Sequence, residues 1–105
     1  MNLLNEKQKT KIISESGLDY LDVDCFIKKK YNNKILISLT ANQKNDFKDF
    51  ENGYDLNVKV YTPKGLVIFN SKVLKIISAT DMEISYDEES AKIEDIRKTP
   101  RYKSN

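Results

Sequence analysis

Three segments of the chain alternate apolar and polar residues with a period of two. The apolar positions are Leu21, Val23, Cys25 and Ile27, then Ile35, Ile37 and Leu39, then Leu56, Val58 and Val60. Successive side chains of a β-strand point to opposite faces of a sheet, whereas a helix spaces its apolar residues three or four positions apart. The alternation therefore predicts half-buried strands and an all-β fold.

Turn-forming residues separate these segments. Asn32 and Asn33 tolerate positive φ angles, which predicts a tight hairpin between the first two strands. Thr62-Pro63-Lys64-Gly65 predicts another turn, because proline presets φ and glycine can adopt an unusual backbone angle. Thr80-Asp81 leads into a last strand, whose inward residues are Met82, Ile84 and Tyr86.

Two further segments complete the pattern. Leu66 to Ser78 is predicted to be one bulged strand, because its inward set changes phase between Phe69 and Leu74. In the polar stretch after the second strand, Phe47 and Phe50 are three residues apart, so one or two helical turns would lay both rings on the end of the sheet. About five strands joined by short turns predict a small antiparallel split barrel.

The two ends of the chain lack this alternation. Asn5 followed by Gln8 is a helix N-cap pattern. Gly17 suits the left-handed position after a helix, so Glu6 to Ser16 is predicted to be a short helix. The polar residues at the other end predict a flexible tail. The expected organisation is an N-terminal helical segment (1–18), the barrel (19–87) and a C-terminal linker (88–105).

The composition argues against an enzyme. The chain has no histidine, which removes the commonest general base and the commonest metal ligand. Cys25 is the only cysteine, so no intrachain disulfide can form, and its place on the inward face of a strand indicates a buried structural thiol. We therefore expect no catalytic residue and no cofactor.

Acidic residues form two small clusters. Asp22 and Asp24 share the outward face of a strand, and Asp87-Glu88-Glu89 follows the last strand. Two carboxylates alone make a poor cation site, and a solvated face accounts for them better. No metal site is predicted.

The chain has neither the ~20 consecutive apolar residues that cross a bilayer nor a secretory signal at its start. We therefore expect a cytoplasmic protein without membrane insertion. The net charge of +2 gives little attraction for phosphates, which makes nucleic acid an unfavoured partner.

The two arginines of the chain lie close together. Of its 18 basic residues all but Arg97 and Arg101 are lysines, and both arginines fall in the segment Arg-Lys-Thr-Pro-Arg. A guanidinium grips phosphate or guanine through two parallel hydrogen bonds and stacks on a base, which an ammonium cannot do. The spacing R-x-x-x-R alone is a weak motif, and a basic solvated tail would also explain it.

The order of segments around this pair carries more information. It comprises Gly53 to Val60, Lys64-Gly65, Phe69, Val73, Met82 to Ile84, Ile93 to Arg97 and Arg101-Tyr102. This order resembles the N-terminal domain of YcgR-type PilZ proteins, in which a split barrel leads directly into a PilZ domain. In that family an R-x-x-x-R segment at the junction wraps cyclic di-GMP.

The resemblance implies that Arg97 and Arg101 contact cyclic di-GMP, and that residues 88–105 begin a PilZ domain missing from this chain. The D/N-x-S-x-x-G segment of a PilZ domain is absent from the sequence. The implied function is a regulatory accessory domain of a cyclic di-GMP receptor. The nucleotide would order the linker and change the contacts of the barrel with a protein partner in motility or surface behaviour.

Two alternatives remain open. One is a small barrel that binds single-stranded nucleic acid by stacking bases on tyrosines interleaved with lysines. These tyrosines are Tyr20, Tyr31, Tyr54, Tyr61, Tyr86 and Tyr102. The other is a protein-interaction module with no ligand.

Overall fold

The computed structural model describes residues 4–41 and 43–94. Within them, seven β-strands form one sheet, and two short 3-10 helices lie in the connections. The strands are β1 (Lys9–Ser14), β2 (Leu21–Lys30), β3 (Lys34–Leu39), β4 (Asp55–Thr62), β5 (Gly65–Ile76), β6 (Asp81–Ser85) and β7 (Lys92–Glu94). The 3-10 helices span Phe47–Asp49 and Glu88–Ser90. The all-β prediction is confirmed. No helix in these ranges is long and apolar enough to cross a membrane.

Six of the strands close into an antiparallel barrel. Their order is β4-β1-β2-β3-β6-β5, and β5 pairs back onto β4. β7 is an additional strand that pairs with the beginning of β5. The sequence pattern predicts about five strands. The barrel has β1 in addition, and β7 lies in the segment predicted to be a linker.

The inward faces of the strands form a single core. Its apolar members include Val23, Cys25, Ile27, Ile35, Ile37, Val58, Val60, Phe69, Met82 and Ile84. Leu39 packs against this core from a half-buried position. Phe47 and Phe50 are both buried, with ring centroids 6.0 Å apart in an edge-to-face arrangement. The predicted alternation and the predicted pair of rings at the end of the sheet are confirmed.

The predicted helix over Glu6 to Ser16 is wrong, because this segment contains β1. The backbone N–H of Asn5 does donate to Gln8 Oε1 (2.8 Å), as at a helix start, but Lys7 turns the chain with a φ of 73°. β1 then runs between β2 and β4. Its inward residues are Thr10, Ile12 and Ser14, and two polar residues among three hid the period of two.

Gly17 has a different role from the predicted helix cap. Its φ is not positive, unlike those of Gly53 (89°) and Gly65 (138°). Instead, the ring of Tyr54 occupies the space beside it: a Cβ added to Gly17 would lie 2.9 Å from Tyr54 Cζ. Position 17 therefore needs glycine for close approach and not for an unusual backbone angle.

The predicted turns are confirmed in position, and the predicted bulge is confirmed only in part. β2 and β3 form the expected hairpin, although neither of the two asparagines in its turn has a positive φ. The turn before β5 ends at Gly65, whose positive φ was predicted. The pairing of β5 with β6 shifts register between Val73 and Lys75, so the long strand is irregular. The predicted phase change between Phe69 and Leu74 is wrong, because the alternate residues from Phe69 to Val73 are all buried and Leu74 is exposed.

Candidate functional site at the exit strand

The chain leaves the barrel through β7. This strand runs antiparallel to β5, with Glu94 opposite Leu66, Ile93 opposite Val67 and Lys92 opposite Ile68. Glu94 therefore lies beside the turn that joins β4 to β5. Ile93 is 44% exposed although its partner Val67 is buried, since no described strand lies on the other side of β7.

Side chains fix the path from β6 to β7. The Ser71 hydroxyl donates to the carbonyl oxygen of Ser85 (2.6 Å), and the Ser85 hydroxyl accepts from the backbone N–H of Lys72 (3.0 Å). These bonds replace ladder bonds where β6 departs from β5. Asp87 then caps the second 3-10 helix by accepting from the backbone N–H of Glu89 (3.1 Å). Asp87, the first residue of the acidic cluster after β6, thus has a structural role.

Tyr86 lies under this connection. Its ring meets Phe69 edge-to-face with centroids 5.0 Å apart, and its hydroxyl is buried without a hydrogen-bond partner among the described residues. Burial raises the pKa of Tyr86 to about 12, and the charges of Glu88 and Asp87 add to the shift. A buried unsatisfied hydroxyl costs about 1–3 kcal/mol. Tyr86 therefore contributes its ring, rather than its hydroxyl, to the stability of the barrel.

The predicted ligand contacts Arg97 and Arg101 lie outside the described residues. Covalent geometry keeps Arg97 within about 11 Å and Arg101 within about 25 Å of Glu94, at no more than 3.6 Å per residue.

A basic and apolar surface flanks the exit on the outside of the barrel. In one row across the sheet, Lys11 pairs with Lys59, Lys59 with Ile68, and Ile68 with Lys92. In the next row, Tyr61 pairs with Leu66, and Leu66 pairs with the exposed Glu94. We call Lys59, Tyr61, Leu66, Ile68 and Lys92 the exit face. Tyr61 is 43% exposed, and Leu66 and Ile68 are half-buried.

Asp22 and Asp24 do point to solvent, as predicted, and they bind a lysine. Lys11 Nζ lies 3.1 Å from Asp22 Oδ1 and 3.5 Å from Asp24 Oδ1. The hydrogen bond to Asp22 is the main reason that the pKa of Lys11 is raised. No group of three or more potential metal-ligating side chains occurs in residues 4–41 and 43–94.

Cys25 is fully buried in the core, as predicted from its place in β2. Burial raises the pKa of its thiol, and the nearby charge of Asp24 raises it further. The thiolate is the nucleophilic form of cysteine, so Cys25 is an inert packing residue.

The five tyrosines among the described residues do not share one surface, and Tyr102 lies outside these residues. Tyr86 is buried, and Tyr54 packs against Gly17. Tyr20 and Tyr31 are exposed, but they flank β2 at opposite ends, up to about 36 Å apart at about 3.3 Å per residue. The exposed Tyr61 lies in β4, on the exit face. A stacking platform for a single strand of nucleic acid needs neighbouring rings, and these positions do not provide one.

The exit face could not be found from the sequence, since its residues come from β4, β5 and β7 and meet only through the pairing of these strands.

A scan of protein-family models finds none that matches this chain, and a search of curated proteins finds no match either.

Proposed function

We propose that this barrel is a regulatory accessory domain of a cyclic di-GMP receptor. In this proposal, Arg97 and Arg101 hold the nucleotide against the exit end of the barrel, and a following PilZ domain completes the site. Ordering of the segment then changes which surfaces of the barrel a protein partner can reach, in the control of motility or surface behaviour.

The observation that supports this proposal is the path of β7. Pairing with β5 keeps the chain on the barrel as far as Glu94, three residues before Arg97. The first arginine is therefore joined to the barrel by a short connection and not by a long tether. Such a short connection lets an ordered ligand site change the orientation of the barrel.

The chemistry of the arginines suits this ligand. Cyclic di-GMP carries two negatively charged phosphodiesters and two guanines. A guanidinium can form paired hydrogen bonds to a phosphate or to guanine O6 and N7, and it can stack on the base. Lysine at either position would keep the charge and lose both the paired bonds and the stacking plane.

Calorimetric titration of cyclic di-GMP into a chain that continues through a PilZ domain tests the proposal. A charge-assisted hydrogen bond is worth about 1.5–3 kcal/mol, so Arg97→Lys and Arg101→Lys should each weaken binding roughly tenfold to hundredfold. Lys98→Gln, which removes a charge between the two arginines, is the control and should have a smaller effect. Equal affinities of the wild type and both arginine variants would contradict the proposal.

A further inference from the structure

Two lysines of the exit face have no ion-pair partner. Lys11, their neighbour across the sheet, binds Asp22 and Asp24, but neither Lys59 nor Lys92 has a carboxylate partner among the described residues. Lys59 also lies directly opposite Lys11 in the β1–β4 pairing. Like charges placed opposite each other destabilise a sheet, so the fold itself gains nothing from the charge at position 59.

The two lysines flank apolar side chains. Ile68 lies between Lys59 and Lys92 in the same row, and Leu66 and Tyr61 lie beside it in the next row. Neighbouring strands are about 4.8 Å apart, which places the two lysine backbones roughly 10 Å from each other. An apolar centre with a polar rim is the usual composition of a protein–protein interface.

We propose that the exit face docks a polypeptide segment that carries both acidic and aliphatic side chains. Its aliphatic residues pack on Leu66, Ile68 and Tyr61, and its carboxylates pair with Lys59 and Lys92. This interaction needs no nucleotide, so it stands independently of the function proposed for Arg97 and Arg101.

The surface favours a polypeptide over nucleic acid. Tyr61 is its only aromatic residue, whereas Leu66 and Ile68 pack well against aliphatic side chains and offer no plane for a base.

Fluorescence anisotropy with a labelled peptide of alternating glutamate and leucine tests this proposal on the chain itself. The wild type should bind, and binding should weaken as salt is added. Reversal of both charges in Lys59→Glu/Lys92→Glu should weaken binding at least about tenfold, since two attractive rim pairs become repulsive. Ile68→Ser should weaken it as well, because the apolar contact is lost.

Lys44→Glu provides the matched control. Lys44 is exposed in the β3–β4 connection, at the other end of the barrel from the exit, so its reversal changes the net charge without touching the exit face. The affinity of the Lys44→Glu variant for the peptide should stay within about twofold of the wild type, because distant surface charges are screened by salt. The proposal would be overturned if the wild type did not bind the peptide. It would also be overturned if Lys44→Glu lost as much affinity per reversed charge as the exit-face variant, or if an oligothymidylate probe bound more tightly than the peptide. Unchanged melting temperatures would show that the exit-face variants remain folded.

Discussion

The ring of Tyr54 fills the space that a side chain at position 17 would need. Tyr54 comes just before β4, and Gly17 lies in the connection between β1 and β2, so this contact joins two parts of the chain that are far apart in sequence. It also holds the β1–β2 connection close to the start of β4, where the Ser16 hydroxyl accepts from the backbone N–H of Asp55 (2.8 Å).

Gly17→Ala is expected to destabilise the chain by about 1–3 kcal/mol, because the methyl group overlaps the Tyr54 ring and the packing must shift. Urea denaturation would measure the change in the free energy of unfolding. In a Tyr54→Ala background, the same substitution should cost much less, since the obstructing ring is gone. An equal cost in both backgrounds would mean that the backbone at position 17, and not the ring, requires glycine.

Ile12→Ala and Ile13→Ala test the strand that replaces the predicted helix. Ile12 points into the core and is fully buried, whereas Ile13 points outward and is half-buried. We expect Ile12→Ala to cost about 2–5 kcal/mol, as is usual for a core isoleucine, and Ile13→Ala to cost clearly less. Thermal unfolding of the two variants would show the difference, and equal losses would contradict the orientation of β1.

Tyr86→Phe removes the unsatisfied hydroxyl and keeps the ring. We expect this variant to be as stable as the wild type or up to about 1 kcal/mol more stable, because no hydrogen bond is lost. Tyr86→Ala serves as the comparison and should cost about 3–5 kcal/mol through the cavity that it leaves beside Phe69. A clear loss of stability in Tyr86→Phe would show that the hydroxyl has a partner, such as an ordered water.

Tyr86 should also make stability depend on pH at the alkaline end. Its pKa is raised from 10.0 to about 12 in the folded chain. Above pH ~10 the unfolded chain releases this proton while the folded chain retains it, so stability should fall as the pH rises towards 12. Cys25, whose pKa is also raised, acts in the same direction. Denaturation curves measured across this pH range should therefore show that the free energy of unfolding falls less steeply with pH in Tyr86→Phe than in the wild type.

The sequence predicted the strands whose inward positions are all apolar. In β2 and β4 the alternation of Val23 and Cys25, or of Leu56 and Val58, determines both the strand and its buried face. β1 was not predicted from the sequence, because its inward residues Thr10 and Ser14 are polar. Their hydroxyls donate to the carbonyl oxygens of Gln8 (3.2 Å) and Asp55 (3.0 Å), and these partners are known only once the fold is known.

The exit face could not be predicted from the sequence for the same reason, since its residues meet only in the folded chain. Arg97 and Arg101 stand out in the sequence because they are neighbours in it, and their proposed role rests on a resemblance. Lys59 and Lys92 are more than thirty residues apart, and only the pairing of β4, β5 and β7 brings them into one row. A short strand such as β7, with a single apolar residue, also leaves too weak a pattern to be predicted.

The position of β1 has a consequence for the purified chain. β1 is the first strand in sequence, yet it joins β2 to β4 and so completes the ring of backbone hydrogen bonds. Proteolytic loss of residues up to Ser14 would leave two open strand edges facing each other across a gap of one strand. Open edges recruit strands from other molecules, so a trimmed chain would aggregate or accept β1 from an intact copy. Preparations should therefore be checked for an intact N-terminus before any self-association is interpreted.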